Sequence, residues 1–425
     1  GRVAGRTGLG AVMGSKNLKA VACRASRPIP LADPERFAEL RRRVNLALRE
    51  DNLSRSLRQT GTAGSAEYWE FLGTMPKRYF TGGLFPDVER VSGTTIAETA
   101  LVRPSTCHGC VIACGRVVRF ANSPEQKGAE YETTVGFGPL LGVSDAAFVT
   151  RMGVVCDRYG MDTISVSNVI GLALLLFERG HLSAADTDGL ELRWGNTQAI
   201  EALVHKTAKR EGFGAELARG AKTLAEAVGH PELAVQVNGL EVPYHDPRGA
   251  SGMALVYATS PRGACHNQSD YFLVDGLGHT NEEVGVNLFD RWDGAAKAAN
   301  VARHQDWRSL GNALVICIFS NIAAQDLRDL VNLATGLDYG LAELVEVGER
   351  SFNLKRLINA RLGLKPGSDV LPPLLLEPLA EGGTAGHVPD LASMLQAYYA
   401  ARGWDPGTGQ PQPATLKRLG LARPA

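Results

Sequence analysis

The sequence predicts a mainly α protein made of two largely helical domains, and three observations carry that expectation. Its 425 residues are more than one ordinary hydrophobic core absorbs, so two or more domains are expected. Apolar residues recur at helical spacing over much of the chain, from LADPERFAELRRRVNLALRE near the start to the stretch around 389–402. The clearest break in that pattern is VQVNGLEVPYHDPRGASG, residues 235–252, where a strand-like run meets a Gly/Pro turn cluster. The best internal boundary is expected near there.

The elements can be justified in order. The first thirty residues alternate glycine with short apolar runs and read as loop and strand. Next, Asp33 can cap a helix, Pro34 suits its first turn, and Phe37, Leu40, Val44 and Leu48 keep the helical period. TISVSNVIGLALLLFERG, residues 163–180, is the most apolar stretch. It is shorter than a membrane span needs and is bounded by Asp162 and Glu178, so it reads as a buried core helix. Further helices are expected around 184–227, 280–305, 324–362 and 389–402. The tail GWDPGTGQPQPATLKRLGLARPA carries several prolines and is expected to wrap over the surface. There is no repeat and no low-complexity tract.

Composition narrows the function classes. Lys+Arg and Asp+Glu both number 45, so nothing draws the chain toward nucleic acid or an anionic membrane. Seven cysteines, an odd count without a signal peptide, argue against a secreted disulfide framework and for a reducing, cytoplasmic setting. The glycine-rich opening GRVAGRTGLGAVMGSKNLKA, which lacks a methionine start, reads as the interior of a longer protein. Its G-x-G pairs lack the strand–turn–helix context of a dinucleotide site.

Three of the seven cysteines fall in CHGCVIACGR, residues 107–116. The spacing of Cys107, Cys110 and Cys114 is C-x2-C-x3-C, which lets one loop offer several soft thiolates to one centre. Zinc would need a fourth ligand, and His108, adjacent to Cys107, is awkwardly placed for it. An iron–sulfur cluster would need a fourth cysteine from elsewhere in the chain. Buried free thiols are the plain alternative. Cys23, Cys156 and Cys265 have no partner pattern and read as structural thiols.

Around this loop, GRTGLGAVMGSKNLKA, KGAEYETTVGFGPLLGVSD (127–145), CDRYGMDTIS (156–165), GLEVPYHDPRG, YATSPRGACHN and ARGWDPGTGQP follow one another in order along the chain. In order and spacing these blocks resemble the tungsten-containing aldehyde ferredoxin oxidoreductase family. The resemblance implies residues 1–29 as the end of a β-rich, pterin-binding N-terminal domain that is otherwise missing. Residues 30–237 would be a helical domain with the cluster loop and first pterin motif, and 238–425 one with the second motif. It implies a [4Fe-4S] cluster on Cys107, Cys110, Cys114 and a distant Cys317. It also implies a tungsten (or molybdenum) bis-pterin centre, with Mg2+ bridging the pterin phosphates.

The pterin contacts carry over unevenly. The family's D-x-x-G-L-D appears as DRYGMD, giving Asp157, Gly160 and Asp162 with methionine for leucine. Its D-x-x-G-L-C appears as NALVIC, residues 312–317, with Asn312 for aspartate and Val315 for glycine. Asn312 still offers hydrogen bonds but no charge. Arg6 would bring charge to the phosphates, and Gly8 and Gly10 would permit close backbone approach. Taken singly, Asp157 and Asp162 could be capping and turn residues, and Cys317 sits in an apolar run where a free thiol is ordinary.

For acid–base work the resemblance implies Glu132 and His266. Glu130 would share a face with Glu132 in a strand, and His245 is the rival to His266, so both choices stay open here. The implied activity is aldehyde–carboxylic acid interconversion, with electrons leaving through the cluster to ferredoxin or a ferredoxin-like subunit, in an oligomer. Two alternatives stand beside it: a tungsten subunit of the benzoyl-coenzyme A reductase type, for which Cys265 is the residue to watch, and a pterin-free [4Fe-4S] electron-transfer subunit.

Overall fold

A computed structural model describes residues 3–121 and 123–421. The fold is mainly α. Eighteen α-helices, one three-stranded sheet and one two-stranded hairpin make up the regular structure among the described residues. Asp33 caps Pro34–Glu50 by accepting from the Arg36 amide, and Leu40, Val44 and Leu48 form its buried stripe. That stripe packs against the helix Ala324–Thr335. Asp162 caps Thr163–Glu178 in the same way, and this helix is buried almost throughout, as its apolar sequence requires. Among the described residues no single helix is long and apolar enough to cross a membrane. The pair Ala146–Tyr159 and Thr163–Glu178 passes by length and composition but is bent by 116°.

The opening differs from the expected loop and strand. Arg6–Gly8 forms a 3-10 turn that runs into a helix, Leu9–Ser15, because Gly8 at φ 76° supplies the left-handed residue joining the two. Two helix expectations also shorten. Residues 184–196 are turns in which Asp186 and Asn196 side chains bind local backbone, and helix begins only at Thr197. Residues 285–294 are irregular, with Asp290 accepting from the Trp292 amide, and the long helix runs Ala298–Ala313. It crosses Leu341–Arg361 closely at Gly348, where a β-carbon would lie 1.9 Å from the Asp306 carbonyl oxygen. The tail closes over that helix, with Arg350 donating to the Leu419 carbonyl at 2.8 Å.

Two features position the functional region. The antiparallel sheet pairs Leu101–Ser105 with Gly115–Val118, and the latter with Gln126–Lys127. Ser105 faces Gly115, so Cys107–Cys114 is the loop of a hairpin. The second feature is a left-handed turn, Arg78, Tyr79 and Phe80 at φ 39°, 50° and 66°. Such a run is costly for residues with a β-carbon, and it is held from several sides. Arg78 and Tyr79 amides donate to Pro139 and Leu140, the Tyr79 hydroxyl accepts from the Val235 amide, and Arg248 donates to the Phe80 carbonyl. Arg248 is itself buried in a bidentate pair with Asp246. The turn thus braces the hairpin Gln236–Glu241 and the segment after it, which carries Tyr244 and His245. One cluster of buried apolar side chains extends from Trp69 to Trp404 around these features.

Candidate active site

Glu132 lies in the first turn of the helix Tyr131–Phe137. One carboxylate oxygen accepts from the Tyr244 amide at 2.9 Å. The other faces two imidazoles, 3.7 Å from His245 Nε2 and 3.8 Å from His266 Nδ1. His245 is clamped between aromatic rings, stacked on Tyr131 at 4.8 Å and on Phe272 at 3.5 Å, with Trp69 edge-on. These groups line a cavity of about 210 Å³ whose remaining walls include Leu53, Leu57, Leu273, Leu277, Ile318 and Phe319.

Burial sets the charge state of the trio. It pushes the Glu132 carboxyl up to about 8, against the Tyr244 amide bond and Arg6, which favour the anion. It pushes His266 down to about 3, with Arg6 acting in the same direction, and His245 well below its usual range. At neutral pH the cavity therefore holds one carboxylic acid and two neutral imidazoles. Glu132 Oε1, His245 Nδ1 and His266 Nδ1 are buried without a hydrogen-bond partner, an arrangement that favours entry of a polar reacting group.

Arg6 stands beside this trio. Its Nη2 donates to the carbonyls of Glu241 (2.6 Å) and Ala264 (3.1 Å), and its Nε is 3.9 Å from Asp162. Nε and Nη1 are buried with no hydrogen-bond partner. Gly5 allows this approach, since a β-carbon there would come within 3.0 Å of Asp162. The polypeptide so presents unpaired cationic donors, as an anionic ligand such as a phosphate requires.

The thiols form a second centre. Cys107, Cys110, Cys114 and Cys317 line one cavity of about 990 Å³, together with Arg116, Lys127, Val315 and Phe319. All four are free thiols. Among the described residues no three His, Cys, Asp or Glu side chains close on a single ion, as a tetrahedral zinc site requires. The Ile112 amide donates to Cys110 Sγ at 3.3 Å. Burial, then Glu130 and the other thiols, push Cys114 up to about 11. Phe319 lines both cavities.

The remaining sequence-derived residues fall around these two centres. Asp157 pairs with Lys127 at 3.1 Å on the thiol side. Gly160, at φ 76°, ends the helix Ala146–Tyr159, and Gly10 is exposed in Leu9–Ser15. Asn312 is exposed in the last turn of Ala298–Ala313 and shares a small cleft with Cys317 and Arg308. Val315 occupies the left-handed position after that helix, at φ 57°, where glycine is the usual residue. Glu130 stands just before the helix rather than in a strand, and its carboxylate accepts from Thr62 at 2.9 Å, so Glu132 is the acid between the imidazoles. Cys265 is buried with Arg262 donating to its sulfur at 2.7 and 3.1 Å. Sequence reasoning missed Trp69, Phe272 and Arg116. Arg116, two places after Cys114, was the one within reach of the motif.

The family profile for aldehyde ferredoxin oxidoreductase, domains 2 and 3, matches residues 39–421. This chain belongs to the aldehyde ferredoxin oxidoreductase family. The tungsten-containing aldehyde ferredoxin oxidoreductase of Pyrococcus furiosus is 38% identical over 99% of the chain and 70% of its own length. The protein of that name from Thermococcus kodakarensis is 36% identical over 95% of the chain and 67% of its own length. In fold, the chain is similar to the active-site complex BamBC of benzoyl-coenzyme A reductase with 1,5-dienoyl-coenzyme A, at a TM-score of 0.76. That match has 21% identity and covers 98% of this chain and 69% of the other. This family member is thus an oxidoreductase, as the resemblance implied.

Proposed function

We propose that the chain interconverts aldehydes and carboxylic acids, releasing two electrons and two protons as aldehyde and water become acid. The observation that carries this reading is the Glu132–His245–His266 trio in an apolar cavity that shares Phe319 with a second cavity lined by four thiols. A tungsten (or molybdenum) bis-pterin, when bound, supplies the two-electron redox chemistry. Arg6, with Gly8 and Gly10 beside it, would hold the pterin phosphates and their Mg2+. Asp157, Gly160 and Asp162 would contact one pterin, and Asn312 the other. Cys107, Cys110, Cys114 and Cys317 would ligate a [4Fe-4S] cluster that passes electrons to ferredoxin or a ferredoxin-like subunit.

The polypeptide's own work is protonic and steric. Apolar walls exclude water and receive the organic part of the substrate. Glu132, its carboxyl raised to about 8, can donate or take a proton near neutral pH, and neutral His266, with Nδ1 unpaired, can hydrogen-bond the same reacting group. The Tyr244 amide fixes where Glu132 points, and His245, locked by its aromatic neighbours, faces its other oxygen. The proposed division into residues 1–29, 30–237 and 238–425 places Arg6 in the first part, Glu132 in the second and both histidines in the third. An oligomeric, cytoplasmic enzyme is part of the same reading.

The test is metal analysis of anaerobically purified protein followed by an aldehyde screen. About four irons and one tungsten per chain, with aldehyde-dependent reduction of an electron acceptor, are expected. Iron at that level with neither tungsten nor molybdenum sinks the oxidoreductase reading and leaves a cluster-binding electron carrier. The aromatic walls Trp69, Tyr131 and Phe272 keep the aromatic acyl thioester alternative in view, and including such a thioester in the screen decides between the two.

A further inference from the structure

Arg116 sits two residues past Cys114, in the strand Gly115–Val118, and is 5% exposed. It lines the same cavity as the four thiols. Its Nη1 donates to the Arg58 carbonyl at 2.7 Å and its Nη2 to the Leu57 carbonyl. These acceptors are neutral, so they orient the guanidinium without cancelling its charge. Its Nε is buried with no hydrogen-bond partner.

Two local devices fix what stands next to it. A β-carbon on Gly61 would lie 2.7 Å from Arg116 Nε and 3.5 Å from the Cys114 carbonyl oxygen. A larger residue there would displace the guanidinium from the Cys114 end of the loop. The next residue, Thr62, donates to the half-buried Glu130 carboxylate at 2.9 Å and accepts from the Tyr131 amide at 2.8 Å. The dipeptide Gly61–Thr62 thus brings one cation and one carboxylate to the same end of the thiol loop. On the Cys317 side the arrangement differs. Arg308 is bidentate to the buried Asp270, at 2.5 and 2.8 Å, and that pair carries no net charge.

We propose that Arg116 and Glu130 set the reduction potential of the iron–sulfur cluster from opposite directions, Arg116 raising it and Glu130 lowering it. The proposal rests on the cluster reading above. A cluster held by four thiolates is already anionic, and one-electron reduction adds a further negative charge. A fixed cation stabilises the reduced form more than the oxidised one, and a fixed anion does the reverse. Away from bulk water such fields are weakly screened, and arginine does not lose its proton to escape them. Arg116 and Glu130 are therefore positioning charges, acting on the cluster through space.

The experiment is a redox titration of the anaerobically purified full chain with dithionite and mediators, following the reduced cluster by electron paramagnetic resonance. Arg116→Gln is expected to move the midpoint to more negative potential, Arg116→Lys to leave it close to wild type, and Glu130→Gln to move it positive. A fully loaded Arg116→Gln or Glu130→Gln cluster with the wild-type midpoint overturns the proposal. Should Arg116→Gln fail to assemble, Glu130→Gln, which keeps the side-chain shape, decides alone. Iron-free wild-type protein removes the cluster reading and this inference with it, whereas a loaded cluster with unmoved midpoints overturns this inference only.

Discussion

The Glu132 cavity and the cysteine loop share Phe319 as a lining residue, yet they are built by opposite means. In the cavity, the polypeptide fixes the His245 ring and one oxygen of Glu132. His245 is stacked between Tyr131 and Phe272, Glu132 is tied to the Tyr244 amide, and burial has removed the charges. In the loop, Cys107 and Cys317 are exposed and the turns use left-handed residues at Gly109, Ala113 and Val315. Packing alone preorganises the first region. The second brings thiols together from a hairpin loop and from beyond a helix end, and a cluster bound there, as proposed, would add order to the exposed Cys107 and Cys317.

That contrast can be broken most easily at the loop. Cys110→Ser should reduce bound iron from about four per chain to a small fraction of that, with the helical content retained. Helix loss in parallel with iron loss, seen by circular dichroism, would make the loop part of the global fold rather than a metal-linked appendage.

Glu132→Gln tests the cavity. Loss of a positioned acid–base group should reduce turnover about 10²–10⁴-fold while leaving metal content unchanged. The same variant sharpens the electrostatic argument. Burial raises the Glu132 carboxyl from its ordinary 4.5 to about 8, so across that window the folded chain binds a proton that the unfolded chain has released. The stability this group contributes is full at low pH and is lost as pH rises toward 8. The slope is at most about 1.4 kcal/mol per pH unit. Urea unfolding at pH 5 and pH 8 should show that loss in the parent and a flatter response in Glu132→Gln. Equal slopes would mean that the carboxyl is ionised in the folded chain.

Arg248→Ala addresses what holds the cavity in place. It leaves Asp246 buried without its partner and frees the left-handed turn at Phe80, so a loss of about 3–5 kcal/mol is expected by denaturant titration. A cost below 1 kcal/mol would show that the segment carrying Tyr244 and His245 is braced by something else. The smallest effect is expected at the loop's far edge. Val315 is β-branched, 91% exposed and at φ 57°. Val315→Gly should therefore stabilise the chain by about 1 kcal/mol, and a destabilised variant would show that the valine side chain is held by contacts of its own.

The sequence by itself determined the local structure. Asp33, Pro34 and the Leu40–Val44–Leu48 stripe announced their helix, and Asp162 with its apolar run announced the buried one, because capping and helical period depend on residues within a few positions. It also placed three cysteines in one loop. Family resemblance, not periodicity, added Cys317, Glu132 and His266. Where local signals were weak the reading slipped, as at Leu9–Ser15, where glycines masked a short helix, and at 285–294, where Asp290 turned the chain out of one. Tertiary structure alone decided the chemistry. Glu132 lies more than a hundred residues before His245 and His266 in the chain, and burial among aromatic walls from other segments raises its carboxyl to about 8. Arg116 and Arg308 are both arginines beside a cysteine, yet one is bonded to neutral carbonyls and the other to a buried carboxylate. Charge state and field are set by what surrounds a group in space, and the order of residues along the chain does not encode that.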